Sequence, residues 1–136
     1  MAASVLADAG FLIALLTERD RHHTWAATHA SRFPPPWKTC EAVLSETFHL
    51  LRVNAPLLAG LLRRGAVVCA FRLDESAGEE VLDLMEKYID VPMSLADACL
   101  VRMTETLSDP VLLTTDADFR IYRRLGRQTV PCIMPR

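Results

Sequence analysis

Four carboxylates stand at points where the chain changes character. Asp8 follows the short apolar run SVLA, Glu46 lies within TCEAVLSETFHLL, Asp97 opens DACLVRMTE, and Asp116 follows PVLLTT. Two of them come directly after short apolar runs, and two lie in or near the start of amphipathic runs. Carboxylate oxygens suit a hard cation such as Mg²⁺, which needs few protein ligands because it keeps several waters. A cation held there offsets the negative charge that builds on a phosphodiester under attack by water. The residue types therefore point to Mg²⁺-dependent chemistry on phosphate. Taken singly, each residue has a plainer reading. Asp8 fits the N-cap of a following helix, and Asp97, after Ser94, fits first-turn charge favoured by the helix dipole. Glu46 fits a solvated helix residue, and Asp116 fits a turn former. Taken together, four carboxylates crowded without metal would repel one another and raise their pKa values, which packing alone does not call for.

Other chemistries find less support. Cys40, Cys69, Cys99 and Cys132 are widely spaced, with no CxxC, so zinc and redox motifs are absent and buried reduced thiols are expected. Glu46 and His49 form an E-x-x-H pair, but a carboxylate-bridged di-iron site needs a second copy and two further Glu residues. His22 and His23 precede Trp25, and a helix start beside a packed Trp accounts for them as well as substrate contact does. DADF at 116–119 resembles the DxDx motif of phosphatases with an aspartyl nucleophile, but it follows a late strand where that motif follows the first. No convincing Ser–His or Cys–His arrangement is present, which suits attack by water.

At 136 residues, 51% hydrophobic and 24% charged, the chain reads as a single compact domain over 1–136. The net charge of −2 argues against a general nucleic-acid coat protein, which is usually basic. A metal ion can still supply positive charge locally. All but Lys38 and Lys87 of the 15 basic residues are arginine, which suits bidentate phosphate binding and equally suits a GC-rich genome. The start lacks a charged n-region and Asp8 interrupts its first apolar run, so no secretion signal is expected. No apolar run reaches membrane-spanning length, and a cytoplasmic protein without a membrane partner is expected.

The elements that must position the carboxylates follow from periodicity and breakers. Strands are predicted at 3–7, 37–40, 66–72, 111–115 and 129–134, with 66–72 (AVVCAFR) a strong buried one. Helices are predicted at 11–16, 22–31, 41–52, 57–64, 76–88, 95–107 and 119–125, the last capped by Gly126. Pro56 suits a first helical turn, and Pro131 suits an edge strand. Strands alternating with helices predict an α/β fold with a parallel sheet covered on both faces. In such sheets ligands bind beyond the carboxyl ends of strands, where Asp8 and Asp116 both fall. On the predicted helix 119–125, Arg120, Arg123 and Arg124 share a face, as a phosphate clamp or as a solvated face. Leu57, Leu58, Leu61 and Leu62 give their helix an apolar surplus that serves either core packing or a partner groove.

VLADAGFLIALL, CEAVLSETFHLL, SLADACLVRM and LLTTDADF, in this order and spacing, resemble the PIN-domain family, and within it the VapC-type toxin ribonucleases. The resemblance covers nearly the whole chain. It implies a three-layer α/β/α sandwich with a central parallel sheet. It implies a Mg²⁺- or Mn²⁺-dependent endoribonuclease that hydrolyses RNA, a frequent homodimer and, for toxins, a co-encoded antitoxin. By position it places the catalytic carboxylates on Asp8, Glu46, Asp97 and Asp116. The metal would be held by Asp8, Asp97 and Asp116, with Asp118 as a nearby further ligand. Thr114 and Thr115 would position a water beside the metal, and Glu41 would sit outside the site. Two other readings stay open: a PIN-fold RNase of RNA maturation without an antitoxin, and a catalytically silent PIN module that binds RNA or protein.

Overall fold

A computed structural model describes residues 2–136. In chain order the elements are β1 (Ser4–Ala7), α1 (Ala9–Leu16), α2 (His23–Arg32), β2 (Trp37–Thr39), α3 (Glu41–Leu51), α4 (Ala55–Arg63) and β3 (Val67–Cys69). There follow α5 (Glu75–Lys87), α6 (Leu95–Thr106), β4 (Pro110–Leu113), β5 (Arg123–Arg124), β6 (Gln128–Thr129) and β7 (Cys132–Ile133). Five strands form one parallel sheet in the order β3-β2-β1-β4-β7, flanked by helices as an α/β/α sandwich. β1 is buried along its whole length between β2 and β4, which is why SVLA is continuous in apolar or small residues. Phe11 anchors the packing of α1, with edge-on contacts to Trp25 at 6.0 Å and Trp37 at 5.6 Å between ring centroids.

The order places a topological switch point at β1. The chain leaves β1 for β2 on one side and returns as β4 on the other, which opens a crevice beyond the carboxyl ends of β1 and β4. Asp8 is the first residue after β1, and Thr114–Asp116 follow β4.

Three expected elements differ. The strand expected at 66–72 is only Val67–Cys69, at the sheet's edge, with Cys69 exposed. Its partner β2 turns into α3 directly after Cys40, so pairing ends with the bond from Ala70 N to Thr39 O. No helix spans 119–125. A 3-10 turn, Ala117–Arg120, gives way to the hairpin β5–β6. Leu125 and Gly126 both take left-handed φ, 51° and 80°, and together they reverse the chain. The strand expected at 129–134 is split by Pro131 into β6, which belongs to the hairpin, and β7, which forms the outer strand beside β4. The edge position expected for this segment holds. Pro131 offers no N–H, while its carbonyl accepts from Leu112 N at 2.8 Å. Of the four cysteines Cys40 and Cys99 are buried, but Cys69 is exposed, and all four are free.

Candidate active site

Each aspartate of the quartet is presented by the start of a helical segment. Asp8 is the N-cap of α1, and its Oδ1 accepts from Ala9 N at 2.7 Å. Asp97 closes a capping box on α6: its N–H donates to Ser94 Oγ at 3.0 Å, and its Oδ2 accepts from Ser94 N at 3.1 Å. Asp116 is the N-cap of the 3-10 turn, with Oδ1 accepting from Asp118 N at 2.9 Å. The plainer capping roles are therefore real, and the same geometry aims three carboxylates at the sheet's carboxyl edge. Helix N-termini also lower the cost of holding negative charge there. Glu46 comes from the middle of α3 and is exposed.

Asp8, Glu46, Asp97 and Asp116 line one cavity of about 420 Å³ with Gly10, Ile13, Leu50, Ser94 and Thr115. The residues span 109 positions of sequence, from Asp8 to Asp116, and only the sheet order brings them together. Asp8 and Asp97 are buried. None of the four has a basic partner: among the described residues the only side-chain ion pair is Arg102–Glu105, at 3.3 Å. Burial raises the Asp8 carboxyl to about 7; hydrogen bonds from Thr114 and Ala9 N work against that rise, and the charges of Asp97 and Asp116 add to it. Burial also raises Asp97, with Asp116 and Glu46 contributing repulsion.

A set of oxygen donors, two of them buried, with mutual repulsion and no basic partner fits a hard divalent cation. Among the described residues, no group of three or more Asp, Glu, His or Cys side chains stands in position to hold an ion, so a cation here would draw much of its coordination from water.

Thr114 has a different place from the one expected. It is fully buried and does not line the cavity. Its hydroxyl donates to Asp8 Oδ2 at 2.6 Å and accepts from Asp116 N at 3.0 Å, so one side chain ties the ends of β1 and β4 together. Thr115 does line the cavity. Asp118, expected as a further ligand, does not line it; only its backbone N–H is used, as donor to the capping Asp116. Glu41 faces another cavity, as its expected place outside the site requires. His49 is exposed, and the His23 ring bonds Ala14 O at 2.8 Å within the helical layer.

The arginine face expected at 120–124 does not form, because the helix that would carry it is absent. Arg123 Nη1 donates to the carbonyls of Arg120, Ile121 and Tyr122, and Arg124 donates to Thr104 O and to Gln128 Oε1. Only Arg120 of the three is left exposed. None of them lines the carboxylate cavity.

Two contributors escaped the sequence reading. The Tyr122 hydroxyl donates to Asp97 Oδ2 at 3.4 Å, a contact across 25 residues that no local pattern reveals. Gly10 sits in α1 where a Cβ would overlap Thr115 Oγ1 and lie 3.1 Å from Thr115 Cβ, so the Thr115 hydroxyl would have to rotate away and its backbone give slightly. A glycine inside a helix was the available signal. Gly10→Ala is expected to push Thr115 out of the cavity and to lower the rate by about tenfold or more. It should also give no net stabilisation despite the helix propensity of Ala. A melting curve and a rate equal to those of the unsubstituted protein would show that this close approach is dispensable.

Asp116 and Asp118 separate by the same logic. Asp116→Ala removes a cap, for about 1 kcal/mol of stability, together with a carboxylate of the cavity. Asp118→Ala removes neither, since only its backbone N–H is used. Parallel melts and Mn²⁺ titrations should show both losses in the first variant and neither in the second. The reverse pattern would move the ligand to Asp118.

No curated protein matches the chain. Among solved structures it is similar to VapC20 of Mycobacterium tuberculosis, described as a sarcin–ricin loop cleaving toxin. The TM-score is 0.61 at 24% identity, over 71% of this chain and 78% of that one, and the likeness is one of fold. Among the described residues no helix is long and apolar enough to cross a membrane. A model of the PIN domain matches residues 5–125, a span that takes in all four carboxylates and the strands beneath them, and the chain belongs to the PIN-domain family.

Proposed function

We propose that the protein is a metal-dependent endoribonuclease and the toxin of a toxin–antitoxin pair. The observation that carries the enzymatic part is the cavity in which two buried and two more accessible carboxylates meet without a basic partner. Asp8, Asp97 and Asp116 would hold Mg²⁺ or Mn²⁺. The ion, when bound, offsets charge on the phosphate and makes a water nucleophilic near neutral pH. Glu46, exposed and lining the cavity, accepts the proton of the attacking water on its carboxylate. Thr114 keeps Asp8 and Asp116 in register, and Thr115 orients water at the cavity wall. Water attacks phosphorus, the bond to the leaving ribose oxygen breaks, that oxygen takes up a proton from solvent, and Glu46 returns its proton to solvent.

Product chemistry tests this route. If water is the nucleophile, the ribose 2′-hydroxyl is not consumed. Internal cuts should therefore persist when the scissile nucleotide is 2′-deoxy, and no 2′,3′-cyclic phosphate should form. A cyclic phosphate product, or a cut that fails without the 2′-hydroxyl and ignores chelator, contradicts it.

The partner reading rests on α3, α4 and the turn between them. Leu50, Val53 and Leu57 are 52%, 89% and 51% exposed, whereas Leu58 and Leu61 of the same segment are buried in the core. Leu50 lines the carboxylate cavity, and Leu57 lines a hollow of about 510 Å³ among the helices with Leu15, Leu16 and His23. An amphipathic antitoxin segment laid on this strip would reach the site. The toxin description of VapC20 lends support. A small neighbouring reading frame whose product binds the protein is expected, as is a homodimer in light scattering at micromolar concentration. A monomer that ignores its neighbour's product would remove the toxin reading and leave the nuclease.

A further inference from the structure

A second cavity lies on the same edge of the sheet. It measures about 420 Å³ and is lined by Glu41, Ser45, Phe71, Arg72, Leu95 and Cys99, among others. It opens where the chain leaves β2 and β3, as the carboxylate cavity opens where it leaves β1 and β4. Adjacent strands are about 4.8 Å apart, so the two openings are separated by only one or two strand spacings. They also share a wall. Ser45 faces the second cavity and Glu46 the first; Leu95 faces the second and Ser94 the first; Cys99 and Asp97 divide in the same way along α6.

The lining is unlike that of the first cavity. It joins a half-buried aromatic ring, Phe71, to apolar Leu95, with the exposed charges of Arg72 and Glu41 beside them. Neither charge has a side-chain ion partner among the described residues. An aromatic face and an apolar wall take the flat face of an unstacked base, while a guanidinium and a carboxylate read its edge. A carboxylate only accepts hydrogen bonds, so Glu41 favours guanine, whose N1–H and exocyclic amino group donate side by side, over uracil, which offers N3–H alone. We propose that this cavity is a nucleobase subsite for single-stranded RNA, in which Phe71 stacks on the base of a nucleotide neighbouring the scissile phosphate. The proposal rests on the ribonuclease reading for the direction in which the strand runs, but the subsite can be measured without cleavage.

The test is fluorescence anisotropy with a labelled single-stranded RNA and a series in which one nucleotide at a time is abasic. It uses the Asp8→Asn protein, so that nothing is cut. Base–aromatic stacking predicts about a tenfold loss of affinity at one abasic position and little elsewhere. Phe71→Leu in that background should bind intact RNA about tenfold more weakly and be indifferent to that position, while Phe71→Tyr behaves as its parent. Glu41→Gln should lose the discrimination against uracil at that position. In protein with Asp8 intact, Phe71→Leu should raise KM with kcat within about twofold. An abasic series with no sensitive position overturns the subsite, and needs no variant at Phe71. So does a folded Phe71→Leu protein that keeps full affinity and positional sensitivity. If RNA is never cut but the abasic effect is present and lost in Phe71→Leu, the subsite stands and the ribonuclease reading falls. If RNA is cut and no abasic effect appears, only the subsite falls.

Discussion

Asp8→Asn is expected to remove RNA cleavage and, in the metal-free protein, to raise the melting temperature at pH 8. The first effect follows from the loss of a carboxylate that would hold the ion; removing one electrostatic partner of a transition state costs about 10²–10³ in rate. The second follows from burial. The Asp8 carboxyl titrates at about 7 in the folded protein, against roughly 3.9 when unfolded. Because the folded value is raised, the stability linked to this group is fully present below about pH 4. It is lost as pH rises through 7. Over that window the metal-free protein loses roughly 4 kcal/mol through this one residue. Asn carries no charge, so the variant should lack that slope, match the unsubstituted protein near pH 4 and exceed it at pH 8. Saturating Mn²⁺ should raise the melting temperature of the unsubstituted protein and leave the variant unmoved. Identical pH slopes for the two metal-free proteins would show that Asp8 is not held in a charge-disfavouring site.

Thr114→Val should have the next largest effect, although Thr114 does not reach the cavity. Its hydroxyl serves two partners, Asp8 Oδ2 and Asp116 N, and Val serves neither. Leaving a part-buried N–H without a partner costs about 1–3 kcal/mol. Groups that orient metal-binding side chains typically matter by about 10- to 100-fold in metal affinity or activity, and a loss in that range is expected. The Thr114 bond also lowers the Asp8 pKa, so its removal should move the acidic limb of the pH–rate profile to higher pH. Thr114→Ser keeps the hydroxyl and should restore both rate and profile. A Thr114→Val protein with an unchanged profile would reduce Thr114 to a packing residue.

The parts of this structure that were legible in the sequence are those that depend on local pattern. The strands read at 3–7 and 111–115 form as Ser4–Ala7 and Pro110–Leu113, because both faces of β1 and β4 are covered, which permits unbroken apolar runs. Once those strands were parallel, the edge rule placed Asp8 and Asp116 together. What failed depended on neighbours. AVVCAFR has strand character throughout, but only three residues pair, because β2 ends first. FRIYRRL has helix-compatible spacing, yet Leu125 and Gly126 turn the chain left-handed, and Tyr122 and Phe119 are drawn wholly into the core. That burial, rather than propensity, decides the segment, and it carries Arg123 and Arg124 onto backbone carbonyls. Tyr122 and Gly10 were invisible as positioning residues because their partners lie in other elements, and for the same reason Thr114 was legible as a site residue while its bonds to Asp8 and Asp116 were not.

The most direct test is cleavage of an end-labelled single-stranded RNA by unsubstituted protein and Asp8→Asn protein, purified in parallel, in Mn²⁺ with and without chelator. Internal cuts by the unsubstituted protein, lost in chelator, restored by excess Mn²⁺ and absent from the folded Asp8→Asn protein, are the predicted result. Equal cutting by the two proteins, or cutting by the unsubstituted protein that persists in chelator, would contradict a metal-dependent nuclease centred on these carboxylates.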